Sequence, residues 1–159
     1  MSPVSNTPRW PQPRPWPDGT TQSSTHARVV LVADDNRARR HWVGAALRSV
    51  GYQVLECASG GELLDRLGSA LMNRHETIEA VVTNPRMGGI TGLQVLEGLE
   101  RAHRTTPVVV MTAFAADRDD IRGRNHPRIE VLLEPFGADE LITAVVRITL
   151  RRRHLDHAA

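Results

Sequence analysis

Five short apolar runs, each followed by a segment with helical spacing, constrain the fold of this chain more than any other feature. Continuous apolar runs of this length are typical of strands that are buried on both faces of a parallel sheet. Strands that alternate with helices predict a sheet covered by helices on both sides. We therefore expect an α/β fold, a doubly wound (βα)5 three-layer sandwich with a five-stranded parallel sheet. The runs read RVVLVA, YQVLECA, IEAVVTN, PVVVMTA and IEVLLE.

The last helical segment, predicted over residues 137–152, is apolar on more than one side. Helical spacing gives it two stripes, Leu141, Val145 and Ile148 on one side and Ile142, Val146 and Leu150 beside them. A helix with one buried face needs a single stripe. The surplus stripe therefore predicts a second contact surface.

The first 26 residues differ in composition from the rest. They carry most of the prolines and two of the three tryptophans, which favours a disordered or polyproline tail. A solvated leader is the simpler interpretation, and a docking segment for an aromatic groove is the alternative. We expect a single domain over residues 27–152 and a short C-terminal tail over 153–159.

Composition excludes several kinds of chemistry and compartment. All 20 basic residues are arginine, so no Schiff-base lysine and no phosphate-binding P-loop lysine is present. The single cysteine, Cys57, excludes an internal disulfide and fits a reducing compartment, and we expect it to be buried. No apolar run approaches the ~20 residues of a membrane helix, so we expect a cytoplasmic protein without membrane contact.

Polar residues stand where the apolar runs end. The carboxyl ends of parallel strands converge on one crevice, so these side chains are expected to lie together. The segments LVADDN, VVTNPRMGGITGL, VVVMTA and LLEPF, in this order, resemble the landmarks of the response-regulator receiver domain, the CheY-like fold of two-component signalling. The resemblance covers about residues 28–151 and implies a flavodoxin-like topology. The strand-end residues are Asp34, Asp35, Asn84, Thr112 and Glu134.

The resemblance implies a role for each of these positions. In the family, an acidic pair holds Mg²⁺, here Asp34 and Asp35, and a carboxylate after strand three attacks the phosphoryl group. That acceptor position is Asn84, an amide, and the position of the family's lysine is Glu134. Thr112 matches the hydroxyl that acts as the switch.

Two further positions depart from the family pattern. The aromatic residue that follows the switch is replaced by Val131, and the usual loop proline is Gly88. The chain thus resembles a degenerate receiver, or pseudo-receiver. We expect a regulator, not an enzyme, that works without phosphorylation by binding proteins.

Alternatives remain open for the surviving residues. The chain could accept phosphoryl groups by an unorthodox route, or Asp34, Asp35 and Glu134 could bind a divalent cation, with weak Mg²⁺ binding as one case. Three carboxylates repel one another, so a cation, a proton or an arginine must relieve them, and Arg86 is the nearest candidate in sequence. The acidic pair could also only cap the first helix, and Thr112 could be an ordinary strand-end threonine.

The resemblance also implies a partner surface made by helix four, strand five and helix five. A sensor kinase, an output protein or a second copy would bind there. We expect no direct contact with nucleic acid, because the basic turn RRRH complements the helix dipole. The residues expected on this surface are Arg118, Asp119, Arg122, Ile142, Val146 and Leu150.

Overall fold

The computed structural model describes residues 28–72, 77–101 and 105–158, and its elements alternate as predicted. Five strands and five helices follow one another, which confirms the (βα)5 pattern. The predicted tail over residues 1–26 lies outside the described residues. The elements are β1 Arg28–Ala33, α1 Arg37–Arg48, β2 Gln53–Cys57, α2 Gly60–Met72, β3 Thr77–Thr83, α3 Gly92–Arg101, β4 Val108–Thr112, α4 Ala115–Gly123, β5 Ile129–Leu133 and α5 Ala138–Ala158.

All strand pairs are parallel, and the strand order is β2-β1-β3-β4-β5. The order reverses direction between β1 and β3, which opens a crevice outside their carboxyl ends. Two backbone hydrogen bonds extend the pairing past the strand ends. Asn84 N–H donates to the Ala33 carbonyl at 3.0 Å, and Glu134 N–H donates to the Thr112 carbonyl at 2.8 Å. The residues that end neighbouring strands are thereby held side by side.

Two aliphatic clusters fill the core, one on each face of the sheet. Side chains of β1 alternate between them, with Leu31 in one cluster and Val30 and Val32 in the other, because successive strand residues point to opposite faces. Helices α2, α3 and α4 cover the Leu31 side, whereas α1 and α5 cover the Val30 side. Helices α1 and α5 are therefore neighbours in one layer.

The predicted double stripe of α5 is present. Leu141, Val145 and Ile148 are fully buried, while Val146 and Leu150 are exposed. The expected burial of Cys57 is confirmed as well.

The prediction that α5 ends at residue 152 and that a tail follows was wrong, because the helix continues through Ala158. Its last turns are held to the protein by arginines. Arg152 donates to the Ile78 carbonyl at 2.8 Å and pairs with Asp156 one turn further on, at 3.4 Å. Within the described residues, no helix is long and apolar enough to cross a membrane.

Candidate functional site

The acidic pair after β1 is split between the interior and the surface. Asp34 is completely buried, and its Oδ1 accepts a hydrogen bond from Asn36 N–H at 2.8 Å, whereas Asp35 is exposed. Asn36 is the N-cap of α1, since its side chain accepts from Arg39 N–H at 3.0 Å. The acidic pair therefore does not provide the cap, and the burial of Asp34 needs another partner.

That partner is Arg39, in the first turn of α1. Its Nε donates to Oδ2 of Asp34, and its Nη2 donates to Oδ1 at 2.9 Å. Its Nη1 lies 3.1 and 3.3 Å from the two carboxylate oxygens of Glu134. One guanidinium thus joins the carboxylates that follow β1 and β5, and we call Asp34, Arg39 and Glu134 the arginine clamp.

The carboxylates around Arg39 stabilise its charged form. The hydrogen bond that Arg39 donates to Asp34 raises the pKa of Arg39, and the nearby charges of Asp34, Glu134 and Asp35 act in the same direction. Arg40 adds a hydrogen bond from Nη1 to the Asp34 carbonyl at 2.7 Å. A buried carboxylate is tolerated only when it is paired and hydrogen-bonded, and the clamp meets both conditions for Asp34.

Asn84 follows β3, and its side-chain amide forms a hydrogen bond within the following loop. Its side-chain Oδ1 accepts a hydrogen bond from Arg86 N–H at 2.9 Å, which is the short Asx turn that asparagine favours. The following Pro85 is buried. The acceptor position is therefore a neutral amide whose oxygen already has a donor.

Thr112, at the end of β4, belongs to a second charged group. Its hydroxyl donates to Oδ2 of Asp117 at 3.0 Å and accepts from Phe114 N–H at 3.1 Å. Arg86 holds Asp117 through two parallel hydrogen bonds of 2.9 Å and lies over the Phe114 ring at 4.1 Å. The hydrogen bonds from Arg86 and then Thr112 lower the pKa of Asp117, and the same pair raises the pKa of Arg86.

The expectation that Arg86 relieves the repulsion among the strand-end carboxylates was wrong. Arg86 contacts Asp117 on α4, and the residue between Asp34 and Glu134 is Arg39. The sequence did contain a signal for it. Arg39 lies five residues after Asp34, in the first turn of the helix that starts beside the site.

The surviving carboxylates do not fit a divalent cation as they are arranged. Carboxylate oxygens are the ligands that Mg²⁺ prefers, but those of Asp34 and Glu134 already accept from the Arg39 guanidinium. A cation there would meet a fixed positive charge. Among the residues that the structure describes, no group of three His, Cys, Asp or Glu side chains is placed to hold a metal ion.

The six residues expected on the partner surface belong to two helices, α4 and α5. Arg118, Asp119 and Arg122 belong to α4. On α5, Arg147 and Arg151 reach Glu130 of β5 at 2.8 and 3.9 Å, which identifies the side of that helix nearest to α4. Because a helix advances by about 100° per residue, the stripe Ile142, Val146 and Leu150 lies on a different side of α5 from those two arginines.

Comparison with known proteins agrees with the fold and the strand-end landmarks. The family model described as "Response regulator receiver domain" matches residues 30–146. The transcriptional regulatory protein TctD of Salmonella typhimurium is 34% identical over 123 residues, 77% of this chain and 52% of the relative. The transcriptional regulatory protein HprR of Escherichia coli is 34% identical over 125 residues, 79% of this chain and 52% of the relative. The chain thus spans about half the length of these two curated relatives.

Solved structures give the same result. A response regulator receiver protein from Sinorhizobium medicae superposes with a TM-score of 0.68 at 28% identity, over 79% of this chain and 97% of that one. The chemotaxis response regulator CheY4 of Vibrio cholerae gives a TM-score of 0.65 at 22% identity, over 77% and 98% of the two chains, which supports the fold alone.

Proposed function

Since this chain belongs to the response regulator receiver domain family of two-component signalling, we propose that it is a pseudo-receiver. It regulates by binding other proteins and does so without being phosphorylated. The observation that carries the proposal is the arginine clamp, in which Arg39 occupies the oxygens of Asp34 and Glu134.

The acceptor position lacks a nucleophile. Phosphoryl transfer to a carboxylate needs an anionic oxygen with a free lone pair, whereas the amide of Asn84 is neutral and its oxygen accepts from Arg86 N–H. Deamidation of Asn84 would supply a carboxylate, but Pro85 has no backbone N–H to start the usual succinimide route. This argues against the unorthodox acceptor as a second function.

The clamp also leaves no unpaired positive charge of its own for the family chemistry to use. In a receiver, metal and lysine neutralise charge on the transferring phosphoryl group. Here one guanidinium is shared by two carboxylates, so the clamp keeps a net negative charge, and one of these carboxylates, Glu134, stands where the family has its lysine. The carboxylate of Glu134 would repel a phosphate in this crevice, and Arg39 is already paired with carboxylates. We therefore assign Asp34 a structural role and expect at most weak Mg²⁺ binding by Asp34 and Asp35.

Thr112 is held in one arrangement. Its hydroxyl is committed to Asp117 and Phe114, and Arg86 fixes Asp117 from the other side. No phosphate is needed to order this group, so we infer that the loop between β4 and α4 keeps one shape. The partners are proteins of a signalling pathway, and we expect the chain to act in the cytoplasm, where its single Cys57 would stay reduced.

Amide chemical shifts of the ¹⁵N-labelled chain, recorded with and without a small-molecule phosphodonor and Mg²⁺, test the proposal. We expect the amides around Asn84, Thr112 and Glu134 to stay unshifted. Changes at these amides that require the phosphodonor would show that the site still responds to phosphoryl groups, which would reject phosphorylation-independent action.

A further inference from the structure

Most of the charged side chains of α1 lie on one flank of the helix. At about 100° per residue, Arg37, Arg40, His41 and Arg48 share one flank, and three of these side chains lie 3.0–3.9 Å from Glu56 on the edge strand β2. The opposite flank, nearer α5, is uncharged apart from Arg39, which belongs to the clamp. That uncharged flank consists of Ala38, Trp42, Ala45, Ala46 and Ser49.

An aromatic pair connects this flank to the start of α5. Trp42 is 41% exposed, although it is the largest side chain of α1. Its ring lies 6.0 Å from that of Phe136, in the loop that leads into α5. An exposed helix flank that faces only water usually carries charged or polar side chains, so an uncharged flank with an exposed tryptophan is unusual.

The flank of α5 that faces α1 continues this apolar surface. Val146 is 38% exposed and Leu150 is 50% exposed, and Ile142 is partly buried one turn before them. Arg153 lies on the same side, since it pairs with Glu79 on the central strand β3 at 3.4 Å. We call Trp42, Ala46, Phe136, Ile142, Val146 and Leu150 the α1–α5 surface.

The residues along this side of α5 are self-complementary about Val146. If two copies of α5 pack antiparallel with Val146 facing Val146, Ile142 of each lies opposite Leu150 of the other. Under the same symmetry, Asp139 lies opposite Arg153, and both are exposed. A twofold interface needs one patch that complements itself, and this one pairs apolar with apolar and acid with base.

We propose that the α1–α5 surface binds a second copy of this chain in a twofold dimer, with α5 antiparallel to its counterpart about Val146. With Val146 on the axis, residues 138–154 of the two helices face each other over ~25 Å, and neighbouring helices add a width of ~20 Å. The footprint is therefore about 500 Å² per protomer, or about 1,000 Å² in total, which is near the lower limit of specific interfaces. An acidic partner would gain little here, because Arg37, Arg40 and Arg48 of α1 lie on its other flank and Arg39 is already paired in the clamp.

Sedimentation equilibrium of the full chain over a wide concentration range tests the dimer. We expect the parent protein to dimerise and Val146→Glu to raise the dissociation constant at least tenfold, because two carboxylates would meet at the symmetry axis. Leu64→Glu, an equally exposed site on α2 in the other helix layer, is the matched control and is expected to leave the constant unchanged. Circular dichroism verifies that both variants fold.

Charge reversal tests the register. Asp139→Arg and Arg153→Asp should each weaken the dimer severalfold, and the double variant should restore it, because the opposite charges then face each other again. A parent chain that stays monomeric at the highest concentration would overturn the proposal. A dimer that resists Val146→Glu but dissociates with Arg122→Glu on α4 would overturn it too. Neither result depends on whether the strand-end site can be phosphorylated.

Discussion

Nη1 of Arg39 lies 3.1 Å from Oε1 of Glu134, although the two residues are separated by 95 positions in the sequence. The same guanidinium holds the buried Asp34. Two carboxylates that would otherwise repel each other or recruit a cation therefore share one arginine of the chain. The guanidinium of Arg39 already pairs with the oxygens that a metal ion in this crevice would use.

Replacing Arg39 by methionine should lower the free energy of unfolding by about 1–3 kcal/mol, since it leaves the buried Asp34 without its charged partner. The reduction stays below that of a fully buried pair because Arg39 is partly exposed. Urea denaturation measures it. Arg37→Met, an exposed neighbour on α1, should have little effect. Adding Asp34→Asn to Arg39→Met should recover part of the loss, and a further loss would contradict the clamp.

Removal of Arg39 should also change the response to Mg²⁺. In the parent chain, millimolar Mg²⁺ should leave the midpoint of thermal unfolding unchanged, because the oxygens of Asp34 and Glu134 are occupied by the guanidinium. In Arg39→Ala these carboxylates and Asp35 face one another, so Mg²⁺ should raise the midpoint. A clear increase for the parent chain would show that the arginine does not exclude the cation.

The pKa of Asp117 should lie below the unperturbed aspartate value of about 3.9, because Arg86 and Thr112 donate hydrogen bonds to its carboxylate. Titration of the side-chain carboxyl ¹³C shift measures this value. Arg86→Gln should move the pKa upward, and Arg101→Gln, on α3, should not. Because the folded pKa is lowered, the stabilisation from this group is present above the unfolded pKa and is lost as pH falls through the folded value.

Burial raises the pKa of the Cys57 thiol to about 11, so the thiol should react slowly with alkylating reagents at pH 8 until the protein unfolds. The unfolded thiol ionises near pH 8.5. Stability should therefore decline as pH rises from there toward 11, because only the unfolded chain loses this proton. Alkylation rates in native buffer and in urea provide the check, and equal rates in both would contradict the burial.

The sequence allowed the strand ends to be located, because continuous apolar runs set the strands and polar residues end them. It also predicted both stripes of α5 from spacing alone. Arg39 was missed because its contact with Glu134 forms only when the ends of β1 and β5 come together. Arg86 was taken as the nearest candidate in sequence, and Asp117 on α4 could not be recognised as its partner. The direction of the Ile142 stripe depends on how α5 is rotated against the sheet, which spacing does not determine.

Intact mass after incubation with Mg²⁺ and a small phosphodonor tests most directly whether this crevice can be phosphorylated. We predict no phosphoryl adduct on the parent chain. Asn84→Asp with Glu134→Lys restores a nucleophile and a positive charge and should give an adduct, because the scaffold of the family is intact. Asn84→Asp alone should react more slowly, since Arg39 and Glu134 stay in place. A phosphoryl adduct on the parent protein would contradict the account.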